Sequence, residues 1–117
     1  MPSRPASCVF CGIVAGRIPS TTVAETPRTL AFRDLAPAAP VHVLVIPKDH
    51  HDDLAALSGA DPGLLVELWA AAVAIARQEG LDGGYRLVVN TGADGGQTVF
   101  HAHVHVLGGG PVRGLPG

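Results

Sequence analysis

The sequence His101-Ala-His103-Val-His105-Val-Leu107, close to the end of this 117-residue chain, decides the fold and points to the chemistry. Because side chains along a β-strand alternate between its two faces, we predict a strand over Val99–Leu107 with three imidazoles on one face. Imidazoles two positions apart lie about 6–7 Å from each other. Three titratable rings suit a cleft better than a core, since they can supply a nucleophile, an acid and an orienting group.

Two other interpretations of the histidine row stay open. A row of histidines is compatible with a solvated sheet face that has no function. Histidines at positions i and i+2 of a strand can also ligate zinc, and a catalytic zinc would make the protein a metal-dependent hydrolase.

A glycine-rich loop comes directly before the histidines and ends in Gly95-Gly96-Gln97-Thr98. Glycines let the backbone approach a ligand closely, and successive N–H groups together with the Thr98 hydroxyl can hold phosphate oxygens. The loop has neither the Gly-Lys-Ser/Thr of a P-loop nor a G-x-G-x-x-G pattern. Taken alone, the loop is compatible with an ordinary turn. It indicates a phosphate-binding site only in combination with the histidines that follow.

The rest of the chain predicts a small α+β domain. Asp61-Pro62 supplies an N-cap carboxylate followed by proline at the first helical position, so the main helix begins there and ends near Gly80. We expect about five antiparallel strands, one long helix and a short N-terminal helix, all in a single domain over residues 1–117. Besides the histidine strand, the predicted elements are a short helix in Val9–Ala15, strands at Thr22–Glu25, Thr29–Arg33, Val41–Ile46 and Tyr85–Asn90, and one helical turn in Asp53–Leu57.

Composition and charge limit the classes of function. With 47% hydrophobic and 15% charged residues the chain is a packed globule, and one Trp, one Tyr and three Phe make a thin core that favours self-association. The net charge of −2 and the lack of a lysine or arginine run argue against binding along a nucleic acid but permit a mononucleotide ligand. No secretory signal or membrane span is visible, so we expect a cytoplasmic protein without a membrane partner.

Two cysteines, Cys8 and Cys11, form a C-x-x-C pair. A structural disulfide is unexpected in a reducing compartment, which leaves metal binding, redox chemistry or no function for the pair.

The histidine row resembles the motif that names the histidine-triad superfamily, His-x-His-x-His followed by two apolar residues. Other parts of the chain are similar, in the same order and spacing, to the superfamily's nucleotide-binding phosphoramidases. The similar blocks are Phe10-x-x-Ile13 with Ile18-Pro19, Leu30–Asp34, Ala39–Val43, Ile46–His50, Asn90-x-Gly92 and Gly95–Val99.

This resemblance implies a histidine-triad fold and an enzyme in which His103 attacks a nucleotide α-phosphorus. A nucleotidyl-histidine intermediate would form, and a nucleoside monophosphate would be released from a purine nucleoside phosphoramidate. The resemblance places His101, His105 and His42 in the catalytic group, with His42 behind the triad to orient it. It assigns the remaining substrate contacts to Asp34 on the ribose hydroxyls, to Asn90, Gly96, Gln97, Thr98 and Val99 around the phosphate, and to Phe10, Ile13, Ile18, Phe32 and Leu35 around the base.

Similarity to bacterial-type members with a structural zinc implies a tetrahedral Zn²⁺ site made of Cys8, Cys11, His50 and His101, with His51 as a competing ligand. The family also implies a homodimer, which we expect to use the long helix and Tyr85–Asn90. The tail Gly114–Gly117 lacks the tryptophan that the phosphoramidases often carry there. Two alternatives therefore remain, a dinucleoside polyphosphate hydrolase and a nucleotide-binding module with negligible turnover.

Overall fold

The computed structural model describes Pro5 and residues 7–112 and shows a five-stranded antiparallel sheet with helices on both faces. The prediction of an α+β fold with about five strands is confirmed. The strands run in the spatial order β1-β2-β3-β5-β4. Their bounds are β1 Thr22–Glu25, β2 Thr29–Arg33, β3 Val41–Pro47, β4 Tyr85–Val88 and β5 Val104–Gly108, and the helices are α1 Val9–Val14, α2 Leu54–Ala60 and α3 Pro62–Gln78.

The long helix α3 begins where local sequence signals predict it. The Asp61 carboxylate accepts a hydrogen bond of 3.1 Å from the Leu64 N–H, and Pro62 occupies the first turn, where a missing N–H costs nothing. Gly80 follows the helix with a φ of +70°, a conformation that favours glycine. None of the helices in the described part of the chain is long and apolar enough to cross a membrane.

A third helix corrects the prediction of a single helical turn at Asp53–Leu57. The helix α2 runs over Leu54–Ala60, and the Asp53 carboxylate caps it by accepting from the Ala56 N–H at 2.7 Å. Leu54 and Leu57 are buried against the sheet, so tertiary packing extends a turn that local signals alone leave short.

Two strands are shorter than the sequence predicts. The strand expected over Tyr85–Asn90 ends at Val88, and the strand expected over Val99–Leu107 begins only at Val104. Pairing of β5 with β3 stops at Val45 opposite Val104. Beyond that point the Ala102 N–H donates to the carbonyl of His51 at 2.7 Å, which lies in a loop and not in the neighbouring strand. The first two histidines of the row therefore sit in irregular backbone.

The two faces of the sheet have different roles. Alternate residues of β3 and β5, among them Val43 and Val104, are fully buried under α2 and α3. The opposite face carries His42 and His105 and is covered by the short helix α1 through Phe10. The candidate site therefore lies on the face away from the long helix. The main core consists of Ala31, Val43, Val45, Leu54, Leu57, Leu64, Leu68, Ala72, Ile75, Ala76, Leu81, Ala102, Val104 and Val106.

Candidate active site

The predicted nucleophile His103 is a buried, neutral imidazole whose tautomer is set by the backbone. Its Nδ1 lies 2.7 Å from the carbonyl oxygen of His101, and because a carbonyl only accepts, Nδ1 carries the proton. Burial lowers the pKa of His103, so the ring is neutral at pH 7 and Nε2 keeps its lone pair. The ring of Phe10 meets His103 edge-on, with centroids 5.2 Å apart. The basic nitrogen is therefore fixed in place as well as unprotonated.

His42 and His105 form a hydrogen-bonded pair beside the nucleophile. The Ala38 N–H donates to His42 Nδ1 at 3.0 Å, so the proton of His42 is on Nε2, which donates to His105 Nδ1 at 2.9 Å. Burial lowers the pKa of both rings, to about 4 for His105. His105 consequently carries its own proton on Nε2. With centroids of His103 and His105 only 5.0 Å apart, the structure places a hydrogen-bond donor next to the nucleophile.

Asp34 completes this end of the site. One carboxylate oxygen accepts from the Ala36 N–H at 2.8 Å, and the other lies 3.4 Å from His42 Nε2. Asp34, His42 and His105 together offer three possible metal ligands. However, the nitrogens of the two histidines are 2.9 Å apart, which is a hydrogen-bond distance and shorter than the separation of about 3.3 Å that two nitrogens have on tetrahedral zinc. We therefore interpret this group as a hydrogen-bonded relay.

Only part of the predicted base pocket comes together. The rings of Phe10 and Phe32 pack edge-on with centroids 5.4 Å apart, and Ile13 packs against the same cluster. Ile18 lies at the rim beside Gly12, and Leu35 is 95% exposed and outside the cluster. Sequence reasoning missed three buried members whose signal was the alternation in β2 and β3, namely Leu30, Leu44 and Ile46.

The glycine-rich loop differs from the expectation that its successive N–H groups point at phosphate. The N–H groups of Gly95 and Gln97 both donate to the Gly92 carbonyl at 3.1 Å, and the Gly96 N–H donates to Ala93 at 3.0 Å. Gly96 has a φ of +89°, and a Cβ there would lie 3.7 Å from Asn90 Nδ2. The side chain of Gln97 is buried, while Thr98 is exposed. These three amides therefore shape the loop, and Thr98 remains at its surface.

The four predicted zinc ligands are brought together. The ligand atoms of Cys8, Cys11, His50 and His101 all lie within 4.8 Å of one another. Cys8 Sγ lies 3.4 Å from His101 Nδ1, and Cys11 Sγ lies 3.4 Å from His50 Nδ1. Sulfur and nitrogen ligands of a tetrahedral zinc are separated by about 3.6 Å, so the donor set fits this ion. His51, the competing ligand, is not in the cluster and contributes its carbonyl to Ala102.

The outer nitrogens of both ligating histidines are oriented for metal binding. His101 Nε2 donates to the Pro47 carbonyl at 2.8 Å, and His50 Nε2 donates to the Asp52 carboxylate at 2.9 Å. Each Nδ1 lone pair therefore faces the thiols, and burial lowers the pKa of His101 to about 4. Because the His101 ring belongs to this cluster and His105 pairs with His42, the described residues do not gather the three imidazoles around one metal.

Comparisons with known proteins agree with the fold. The model of the HIT domain matches residues 15–112, so the chain belongs to the HIT-domain family. The 14 kDa zinc-binding protein of Brassica juncea is 45% identical over 93% of this chain and 98% of its own length. Adenylylsulfatase HINT1 of Arabidopsis thaliana is 45% identical over 93% of this chain and 76% of its own length. A HIT family hydrolase from Clostridium thermocellum superposes with a TM-score of 0.86 at 43% identity, covering 92% of this chain and 96% of its own.

Proposed function

We propose that this chain is a nucleotide hydrolase of the phosphoramidase type, in which His103 attacks the α-phosphorus of a purine nucleotide and a nucleoside monophosphate is released. The observation that carries the proposal is the 2.7 Å hydrogen bond from His103 Nδ1 to the His101 carbonyl, because it leaves Nε2 as the basic atom. Membership of the HIT-domain family and a solved relative named a hydrolase support it.

The proposed reaction has two displacements. First, Nε2 of His103 forms a bond to the α-phosphorus while the bond to the leaving group breaks, and the Nδ1–H bond to the carbonyl stabilises the charge on the ring. His105 donates through Nε2–H to the phosphate oxygens, where negative charge increases in the transition state. Water then forms a new phosphorus–oxygen bond and gives up a proton to the solvent, which balances the proton that a leaving amine takes up in the first step. The bond between the phosphorus and His103 Nε2 breaks, and its electron pair returns to Nε2 as the monophosphate is released.

The leaving group separates the candidate substrates. A phosphoramidate nitrogen leaves as a neutral amine once it is protonated. Sulfate leaves without protonation, and the relative named adenylylsulfatase makes adenylyl sulfate the second candidate substrate. The polyphosphate of a dinucleotide is large and anionic and favours cationic side chains near the cleft. Lys48 is paired with Glu25 at 2.6 Å, and Arg113 together with the tail Gly114–Gly117 lies outside the described residues.

A substrate panel tests the proposal. Adenosine and guanosine phosphoramidates, adenylyl sulfate and diadenosine polyphosphates are compared by kcat/KM on one preparation, and we expect higher values for adenosine phosphoramidates than for diadenosine polyphosphates. His103→Ala should lower kcat by about 10⁴-fold or more while AMP still binds. His51→Ala is the matched control, since it removes a similarly buried imidazole outside the site and should retain turnover. Turnover near that of the wild type in His103→Ala would refute the assignment of the nucleophile.

Zinc and a reducing compartment belong to the same proposal. We infer that Cys8, Cys11, His50 and His101 hold one Zn²⁺, which the zinc-binding name of the Brassica relative supports. Four protein ligands complete a tetrahedral shell, so the ion would cross-link the N-terminal segment to His50 and His101. Cys8 and Cys11 are not joined in a disulfide, which fits a cytoplasmic setting.

A homodimer is the proposed assembly. The strand β4 is one of the two outer strands of the sheet, and an uncovered edge can pair with another chain. An apolar groove of about 640 Å³ lies beside it, where Val66 and Trp69 are 69% and 47% exposed. We propose that a second copy covers this surface through its own α3 and β4. The groove is lined by Leu54, Ala55, Leu65, Val66, Trp69, Ala70 and Val89.

A further inference from the structure

Gln97 is a buried amide in the middle of an otherwise exposed loop. Only 4% of it is accessible, whereas its neighbours Gly96 and Thr98 are exposed. Its Oε1 accepts from the Gly92 N–H at 2.8 Å. Its Nε2 donates to the carbonyls of Asp52 at 2.7 Å and Val99 at 3.0 Å. Both amide protons of Gln97 are therefore hydrogen-bonded, and the side chain has no donor left for a phosphate. Its amide oxygen can only accept hydrogen bonds, so it would repel an anion.

The bonds of Gln97 close the loop upon itself. Gly92 donates to the side chain of Gln97, and the Gly92 carbonyl accepts from the Gln97 backbone N–H at 3.1 Å. Gly92 has a φ of +75° and Gly96 has a φ of +89°, which are backbone conformations that glycine adopts readily. The two hydrogen bonds between Gly92 and Gln97, here called the clamp, hold the loop in this conformation. The exposed Thr98 comes directly after Gln97 in the sequence. The orientation of Thr98 therefore depends on the hydrogen bonds between Gly92 and Gln97 that close the loop.

The same side chain ties the loop to a second part of the chain. The Asp52 carbonyl, which accepts from Gln97, belongs to the residue whose carboxylate accepts from His50. The loop is therefore anchored to the segment that carries a predicted zinc ligand, across 45 positions of sequence. A buried amide with all donors satisfied keeps such a link in place, because breaking it leaves polar groups unpaired.

We propose that Gln97 is a positioning residue. It holds the loop of residues 92–99 closed and against Asp52, so that the exposed Thr98 is placed to contact the phosphate, and Gln97 itself touches no part of the substrate. This proposal rests on the proposed function, since it assigns to the loop the α-phosphate of the nucleotide. It replaces the expectation that Gln97 is itself a contact to the phosphate.

Two substitutions separate positioning from contact. Gln97→Met keeps the length and the burial but removes all three side-chain bonds. Gln97→Glu keeps an acceptor for the Gly92 N–H and loses the bonds donated to the Asp52 and Val99 carbonyls. This variant carries the test should Gln97→Met not fold. Gln78→Met is the matched control, because Gln78 is an exposed glutamine on α3 that donates to the Val23 carbonyl.

The decisive measurement is amide hydrogen exchange in the ligand-free protein, combined with AMP and adenosine affinities. In Gln97→Met we expect hydrogen exchange at the backbone amides of positions 92 and 97 to accelerate by about tenfold or more. AMP affinity should fall by about tenfold (~1.4 kcal/mol), and adenosine affinity should stay within about twofold of the wild-type value. In Gln97→Glu the Gly92 amide should keep more of its protection, with a similar loss of AMP affinity.

Other outcomes overturn the proposal in distinct ways. Unchanged exchange with weakened AMP binding would make Gln97 a direct phosphate contact. Accelerated exchange with unchanged AMP affinity would give the clamp a purely structural role. If the wild-type protein bound no AMP and cleaved no substrate of the panel, the proposed function would fail, and the exchange data would still report whether Gln97 holds the loop.

Discussion

Replacing Phe10 tests whether the short helix α1 supports the nucleophile. Phe10 is 6% exposed and makes three ring contacts, edge-on to Phe32 at 5.4 Å, to His103 at 5.2 Å and to His101 at 5.9 Å. It lies between the two cysteines in sequence, so it links the Cys8, Cys11, His50 and His101 cluster to the proposed nucleophile. We expect Phe10→Ala to destabilise the protein because the substitution leaves a cavity among these rings.

The magnitude follows from the burial of the ring. Truncating a buried phenylalanine to alanine costs about 3–5 kcal/mol, and the near-complete burial of Phe10 places it in that range. Phe10→Leu keeps most of the apolar volume and loses the three edge-on contacts, each worth about 0.5–1.5 kcal/mol, so we expect a loss of at least about 1.5 kcal/mol but below that of Phe10→Ala. A domain of this size has a total stability of about 5–15 kcal/mol, and Phe10→Ala should therefore remain folded only marginally.

The assay is urea unfolding of zinc-saturated protein, followed by the fluorescence of Trp69. Phe100→Ala is the matched control, because Phe100 is 50% exposed and should cost much less. Phe10→Leu should also lower kcat for an adenosine phosphoramidate, since the ring of His103 loses its packing, and it should weaken AMP binding as well, since Phe10 belongs to the predicted base pocket. If Phe10→Ala cost no more than Phe100→Ala, or if Phe10→Leu left kcat unchanged, α1 would not support the nucleophile.

Three further predictions concern the metal, pH and assembly. Purified protein should contain about one zinc per chain, and Cys11→Ser should lower both zinc content and Tm; elemental analysis without zinc after growth in its presence would contradict this. His105 has a depressed pKa of about 4, so below about pH 6.5 its imidazole binds a proton in the unfolded chain but not in the folded one. The contribution of this group to stability should therefore be constant above about pH 6.5 and fall as the pH drops towards 4. The fall in stability should be less steep in His105→Asn. Trp69→Glu should yield monomers in sedimentation at micromolar concentration, whereas the control Leu35→Glu, on an exposed loop outside the groove, should not.

Local signals in the sequence determined much of this protein. The N-cap and proline at Asp61-Pro62 set the start of α3, and the strands Thr22–Glu25 and Thr29–Arg33 have the predicted bounds. Period-2 alternation correctly placed Val104 and Val106 in the main core, on the face of β5 opposite His105. The Cys8-x-x-Cys11 pair and the histidine row were also recognisable from residue type and spacing, whereas His50 and His101 were predicted as zinc ligands only from the family resemblance.

Only the tertiary structure decided how these residues are used. His50 and not His51 faces the cysteines, β5 begins at Val104, and Gln97 turns inward to Asp52. Each outcome depends on a partner that is distant in sequence: the proton of His101 goes to a carbonyl 54 positions away, and His42 meets a ring 63 positions away. Every residue has a backbone carbonyl, so the pattern of residue types does not predict which carbonyl accepts a given hydrogen bond. Tautomers, strand ends and the direction of a buried amide are set by such partners, and they exist only once the chain has folded.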